Sequence, residues 1–561
     1  MRTYPIWDIC HEGHYDGLID VLLASRSLTR DDLNVDFDAL HPPEKLTDMV
    51  RGAERLEQAI RQKEKIVVFG DYDADGVTST ALLLDFLGQV EADHAYLLPN
   101  RHRDGYGIKP PGVRRALEMG AEVIVTVDNG IAAVEALELA RAEGVDVIVV
   151  DHHRQLGELP PAHSIINPNR LDCTYPFKSL SGVGVTFKVV QTLSQAFMEG
   201  AARRRYLNLL LDFVALGTIA DVMPVLDENR VLVQRGLEVM EKSARPGFKQ
   251  LKSIAGYADK PLNTTAVGFY LAPRINVAGR LESADLALRL LRTAQDREAV
   301  ELAAELNQLN QKRQKLQREG VAEAEELATA EDVAADRMLV LLGESWHLGV
   351  VGLLAGKMTE KYACPAVVCT DVRGDGVYTG SARSIPAYDI SAGIHASADH
   401  LIAYGGHAGA AGFSLAADNF EAFRATLIDH ARQHISPEDL QARLVVDLYL
   451  QGRDISLQTV RQLEELEPFG AGHTVPVFAA RDCKVSSCTT VGKDKSHLKL
   501  GLDIGGRPCN AMWWGKGVLA QEIQAGTRVE AAFQLEEDTF TGNGAVQLII
   551  KDMFVANGQG A

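Results

Sequence analysis

Residues 65–80, KIVVFGDYDADGVTST, constrain the fold more than any other stretch of the chain. Ile66-Val67-Val68-Phe69 is a short apolar run of the kind that forms a strand buried on both faces of a parallel sheet. It ends at Gly70, and carboxylates follow on alternate residues, Asp71, Asp73 and Asp75. Gly76 closes the turn, and residues 77–87 have the composition of a helix packed back on the sheet. Three anions crowded at a strand end repel one another, so a plain turn gains little from them. Divalent cations remove that repulsion, and hard oxygen donors suit magnesium or manganese. The competing reading, an acidic and solvated turn, carries equal weight from this stretch alone.

The pattern around it decides the fold class. From residue 51 to about 296, β-branched runs such as VIVTV (123–127) and VDVIVV (145–150) alternate with helical stretches, which predicts an α/β fold with a doubly wound parallel sheet. Residues 1–50 have no strong periodicity and read as an N-terminal leader packed on this domain. Residues 297–330 form one proline-free helical pattern. Leu302, Leu306, Leu309 and Leu316 make a single apolar stripe, as in a connecting helix between domains. Gly320 inside it should cost about 1 kcal/mol relative to alanine. A second, smaller α/β domain is expected over 331–435. Over 440–557 the pattern changes to short strands with Gly-rich turns (LVVDLYL, VFAARDCKV, HLKLGLDI, RVEAAFQLE, AVQLIIKDMFV), which suits an OB-type β-barrel.

With 561 residues, several domains are the expectation. No apolar run reaches transmembrane length, so no membrane association is expected. Seven cysteines without paired spacing suggest reduced thiols and a cytoplasmic location. The net charge of −19 argues against indiscriminate coating of nucleic acid, but affinity follows the local field, so a groove is not excluded.

Further acidic and histidine signals follow apolar runs, where a parallel sheet places its chemistry. The run ending at Val127 delivers Asp128-Asn129-Gly130, and that ending at Val150 delivers Asp151-His152-His153. LGTIADVMP puts Asp221 after another apolar segment. One acidic strand end is weak evidence; three on one sheet are hard to assign to turn chemistry. Carboxylates so placed can bridge two cations about 3.5–4 Å apart, the spacing useful for in-line phosphoryl displacement. A histidine beside them can ligate metal or hydrogen-bond a phosphate. Hydrolysis of a phosphate ester or anhydride is the reaction class inferred. In the second half, GGHAGAAGFS (405–414) surrounds His407 with glycines, Gly406 among them, that let backbone N–H groups approach phosphate. Ser381 and Arg383 of GSARS, and Arg280 after an Ala-Gly pair, add donors. Tight packing alone is the rival explanation of the glycines.

DYDADG, VDNG, DHH and Asp221 follow in the order of the DHH phosphoesterase superfamily, and DYDADG resembles its RecJ branch. GSARS and GGHAGAAGFS are similar to the signatures of the associated DHHA1 domain. RINVAGRL, WHLGVVG and LEPFGAG also resemble the RecJ pattern, so the likeness runs over roughly residues 50 to 555. It implies a 5′→3′ exonuclease specific for single-stranded DNA in recombination and repair, using manganese or magnesium in a pair of ions. By motif, Asp73, Asp75, Asp128, His152 and Asp221 would be ligands, with Asp128 bridging and Asp75, His152 and Asp221 completing one metal. His153 would contact the scissile phosphate. Where the wider superfamily often has a histidine, Phe69 stands; Asp71 either substitutes as ligand or shapes the loop. Arg280, Ser381, Arg383, Gly406 and His407 would hold the terminal nucleotide. Single-stranded DNA-binding protein and a RecQ-type helicase are the protein partners the likeness implies. The rivals are a DHH hydrolase of short oligonucleotides, cyclic dinucleotides or pyrophosphate, and a catalytically dead binding module. Of the barrel aromatics Phe478, Trp513, Trp514 and Phe533, most should be core, and at most one tryptophan should face outward.

Overall fold

The computed structural model describes residues 3–13, 15, 17–33, 37–101, 103–371, 374–538 and 545–555. The chain divides into two compact units, one of residues 35–433 with 470–473, the other of residues 1–34, 434–469 and 474–561.

The larger unit holds two sheets. In the first, five parallel strands lie in the order His94–Leu97, Ile66–Phe69, Val123–Val127, Asp146–Val150, Ser164–Ile166. Ile66 and Val68 bury into the core on one face, with Leu83 and Val185, while Val67 and Phe69 bury into that on the other, with Val113 and Leu137. This two-sided burial is why the strand is apolar throughout. The chain reverses direction across the sheet between Ile66–Phe69 and Val123–Val127, and open parallel sheets bind ligands at such a switch point.

The helix Asp296–Leu327 carries Leu302, Leu306 and Leu309 into the same core. Gly320 is buried, and a side chain there would start 2.9 Å from Leu354, so the glycine admits the helix Val351–Tyr362. The second sheet orders its strands Ala403–His407, Ala410–Ala416, Val377–Arg383, Ala366–Thr370, Leu339–Gly343, of which only the last pair is parallel.

In the other unit, Phe478–Val491, His497–Ile504, Arg507–Trp513, Val546–Val555 and Arg528–Glu537 close a five-stranded barrel through pairing of the first with the last. Two expectations are corrected here. The run LVVDLYL belongs to the strand Arg443–Tyr449, outside the closed ring, and Arg507–Trp513 takes the fifth barrel place. Pro508 disguises that strand, yet it lies where only one neighbour pairs, so its missing N–H breaks no second ladder. Nor are the first residues a leader on the catalytic domain. Ile6–His11 pairs in parallel with Arg443–Tyr449, and Leu22 and Leu23 of the helix Leu18–Ser25 enter the barrel core. Arg26 binds Asp447 at 2.9 Å and Trp7 Nε1 donates to Asp552 at 2.9 Å, fixing the segment by charge-assisted bonds. Phe478, Phe533 and Trp513 are core, and Trp514 is 54% exposed. Among the described residues, no helix is long and apolar enough to cross a membrane.

Candidate active site

The acidic residues meet at the switch point. Asp73 caps the helix Ala74–Gln89, its Oδ1 accepting from Asp75 N (3.0 Å) and Gly76 N (3.1 Å). Asp75 is buried and accepts from Gly182 N (2.6 Å) and Val183 N (2.8 Å), at the start of the helix Gly182–Leu193. A side chain at Gly182 would sit 2.7 Å from Asp128 Oδ1, so the glycine makes room for the Asp128 carboxylate. Asp128 takes a left-handed backbone, φ 61°, a strained choice for a non-glycine residue and one that clusters at functional sites. Asn129 locks the strand ends together by donating to Phe69 O (3.2 Å) and Val127 O (2.9 Å).

Asp221 is not at a strand end, as its sequence context suggested. It caps the C-terminus of the helix Leu211–Ala220, which brings its carboxylate 3.6 Å from His152 Nε2. The same nitrogen lies 3.1 Å from Asp128 Oδ1 and 3.8 Å from Asp75 Oδ2. Three sets of donors come within 4.8 Å of one another: Asp75, His152 and Asp221; Asp71, Asp73 and Asp128; and Asp128, His152 and His153.

Burial and mutual repulsion dominate the electrostatics. Burial, then Asp73, pushes the Asp75 carboxyl up to about 7. Burial and Asp75 push Asp221 up to about 8. Asp128 is raised well above the carboxylate range, first by burial and then by Asp75, Asp73, Asp221 and Asp71. Burial raises Asp71 as well. Oδ1 of Asp71 and Oδ1 of Asp128 are buried without a hydrogen-bond donor, an expensive state for a carboxylate. His152 is driven down to about 4 by burial and by His153, so its ring is neutral and able to ligate. Neutral imidazole, buried carboxylates and unpartnered oxygens together fit hard divalent cations, and the residues that could hold them are those of the three donor sets.

His153 behaves oppositely. Burial works against its charge, but Asp151 Oδ1, 2.8 Å from Nδ1, raises it to about 9. Asp151 in turn is held well below the carboxylate range, against burial, by His153 and His152. The Tyr106 hydroxyl donates to Asp128 O (3.2 Å) and lies 3.1 Å from the His153 ring nitrogens. Asp151 stands out in the sequence as part of the DHH run, without its role toward His153; for Tyr106 the only signal is its place between two glycines, GYG.

The second sheet contributes cations. Arg383 donates from Nη1 to Ala382 O (2.8 Å) and Ser381 Oγ (3.1 Å). Burial lowers its pKa, and so does Arg101. Arg280, at the end of the helix Ala272–Leu281, is lowered to about 10 by burial and by the charges of Arg101, Arg313 and Arg383, with Asp73 opposing. Arg101 lies over the Tyr72 ring at 5.3 Å and joins this cluster although its sequence context gave no hint. His407 is lowered by burial and by Arg383, Arg154 and His153, with Asp389 opposing. Gly406 has a structural reason to be glycine: it pairs with Ala411 in the hairpin, and a side chain would start 2.3 Å from Ala410 O.

Comparison with known proteins follows the same divisions. Residues 65–218 match the DHH family, N-terminal domain, residues 334–433 the DHHA1 domain, and residues 446–552 the RecJ OB domain. The single-stranded-DNA-specific exonuclease RecJ of Bacillus subtilis is 36% identical over 92% of this chain, which spans 65% of that relative's length. RecJ of Salmonella typhimurium is 35% identical, with 96% of each chain covered. The crystal structure of RecJ in complex with Mn2+ from Thermus thermophilus superposes with a TM-score of 0.81 at 30% identity, covering 96% of this chain and 76% of that one. The chain belongs to the RecJ family of the DHH proteins.

Proposed function

We propose that the protein is a metal-dependent exonuclease that degrades single-stranded DNA to mononucleotides from the 5′ end. The observation that carries the proposal is the convergence of five buried or half-buried aspartates and a neutral histidine beside a cluster of arginines. Asp75, His152 and Asp221 on one side, Asp71 and Asp73 on the other, and Asp128 between them are the donors that would hold two ions of manganese or magnesium, whose bound charge would acidify water and stabilise charge developing at phosphorus.

The chain's own groups do the positioning. His153, kept cationic by Asp151, donates a charge-assisted bond to a non-bridging oxygen of the scissile phosphate. Arg280, Arg383, Ser381 and His407, with Arg101, receive the terminal phosphate, and Arg383 is already oriented by Ser381 and Ala382. An end-pocket formed by these groups beside the acidic centre would limit removal to one nucleotide at a time. The OB barrel supports a polymeric strand over the small-substrate alternative, since a dinucleotide needs no such module. Single-stranded DNA-binding protein and a RecQ-type helicase are the partners this reading carries with it, on the family resemblance alone.

The test is a 5′-labelled linear strand, its duplex and a single-stranded circle, each incubated with manganese. Labelled mononucleotide should appear at once from the linear strand and not from the duplex, and the circle should persist. Efficient degradation of the circle would reject the exonuclease reading.

A further inference from the structure

The turn that carries Asp221 ends in a conformation its sequence disfavours. The helix Leu211–Ala220 closes with Val222 N donating to Ile219 O (3.1 Å) and Met223 N to Thr218 O (3.2 Å), the paired bonds of a helix end that usually places glycine in the left-handed position. Here that position holds Val222, with φ 56°. A β-branched residue is an outlier there, and such a conformation persists only where the surroundings over-determine it. Val222 does not supply the hold itself, since its side chain is 71% exposed. Asp221 does not favour the place either. A carboxylate at a helix C-terminus meets the negative end of the dipole, and the donor oxygens of Asp75 and Asp221 lie within 4.8 Å of each other. Without cations, strain and repulsion both push this carboxylate outward.

Two buried side chains oppose that push. Asn229, in the first turn of the helix Asp227–Glu241, donates from Nδ2 to Pro224 O (3.0 Å) and to Ser179 O (2.6 Å). Pro224 is three residues past Asp221, and Ser179 is three residues before Gly182, whose N–H binds Asp75. One amide nitrogen thus joins the exit of the Asp221 turn to the entrance of the Asp75 seat. The Asn229 Oδ1 is buried without a donor, so this amide bears a cost of its own while its nitrogen bridges the two segments. Thr218 makes the second tie. Its Oγ1 lies 2.8 Å from Ser181 Oγ, which also accepts from Gly184 N (3.1 Å) as the cap of the helix Gly182–Leu193. Asn229 and Thr218 are both fully buried, where a hydrogen bond is electrostatically stronger than in water. Further along, Val225 N donates to Ala471 O (2.8 Å), which fixes the end of the turn.

We infer that Asn229 and Thr218 are positioning residues that hold the Asp221 carboxylate in register with Asp75 and His152, so that the three act as one ligand set. The inference rests on the metal-dependent reading above and assigns the preorganisation of that set to two side chains outside it. Groups that orient metal ligands are typically worth about 10- to 100-fold in metal affinity.

The experiment titrates the full-length protein with manganese in the absence of DNA and follows the electron paramagnetic resonance signal of the free ion, with Asp221→Ala identifying the ion that depends on this ligand set. Thr218→Val, which keeps the shape and removes the hydroxyl, and Asn229→Ala should each weaken that ion about 10- to 100-fold. Thr218→Ser, which returns the hydroxyl, should restore wild-type affinity, as a merely steric role for Thr218 would not predict. The manganese concentration for half-maximal cleavage should rise by the same factor, while KM for a single strand at saturating manganese stays at the wild-type value. Circular dichroism and the melting temperature report whether each variant is folded, and either folded variant decides the matter. Wild-type manganese affinity in a folded variant overturns the inference, and so does loss of folding in both, which would make the ties purely structural. A wild type that binds no manganese rejects the metal-dependent reading instead, so the two failures are distinct.

Discussion

Arg383→Ala isolates the end-pocket from the rest of the site. The guanidinium is held on the sheet by Ala382 O at 2.8 Å and Ser381 Oγ at 3.1 Å, and Gly352 lies against its Nη2. It is thus already oriented, and little side-chain entropy is lost when an anion arrives. Burial and Arg101 lower its pKa, so it is a cation in search of negative charge. A terminal phosphate carries about −1.5 to −2, against −1 for an internal diester. A charge-assisted bond contributes about 1.5–3 kcal/mol, so loss of Arg383 should raise KM roughly ten- to a hundredfold on a 5′-phosphorylated strand. On a 5′-hydroxyl strand the same substitution should change KM much less. Arg383→Lys should fall between, because an ammonium keeps the charge without the planar fork. The assay is steady-state release of the first nucleotide from matched 5′-phosphate and 5′-hydroxyl strands by wild type and both variants. Equal losses on the two strands would remove Arg383 from the end-pocket.

Asp128→Ala should abolish cleavage while leaving the melting temperature within a few degrees of wild type; near-normal turnover at saturating manganese would refute its bridging role. Reducing the chain to residues 35–433 should weaken binding to long strands and flatten its salt dependence while slow cleavage of short oligonucleotides survives; truncation near residue 442 alone should instead lower solubility, because it strips the partner from the strand Ile6–His11. Burial raises the Asp212 carboxyl to about 6 despite Arg245 beside it. Its contribution to stability is therefore full below about pH 4 and lost as pH rises through 6, and urea titration should show wild type losing about 3 kcal/mol relative to Asp212→Asn between pH 4 and 7; a pH-independent difference would count against that burial.

What the sequence disclosed depended on whether the signal was local. The strand Ile66–Phe69 is legible because both of its faces are buried, which leaves no polar residue to blur the run. The same logic misleads at Asp221. The helix Leu211–Ala220 is buried on every side from Leu211 to Thr218, so it has no polar stripe and reads as one more apolar segment before a carboxylate. The strand Ile6–His11 could not be placed at all, since its partner Arg443–Tyr449 lies at the far end of the chain and its own burial is only partial. In the barrel, Pro508 hid a true strand while LVVDLYL advertised one that stands outside the ring.

The two poles of the site differ in legibility for the same reason. Acids that repel one another within five residues, Asp71 to Asp75, announce themselves, because no ordinary turn is improved by them. Arg101, Arg280 and Arg383 come from three distant segments; Arg280 and Arg383 are read as donors only from the motifs around them, and Arg101 reads as a solvated surface charge. Only folding brings them close enough to depress the pKa of Arg280 and of Arg383 beyond what burial does. The chain's net charge of −19 is therefore no guide to its substrate. Locally there is an acidic pole that is costly without cations and a basic pole that is costly without anions, joined by the helix that carries Asn276 and Arg280. In the reading proposed above, a nucleic-acid strand with divalent ions would offset both costs at once, with its charged terminus at the arginines and a diester at the aspartates. In that reading, the opposite orientation would turn the terminal phosphate toward the carboxylates, so the two poles would favour entry by a phosphorylated terminus at the arginines.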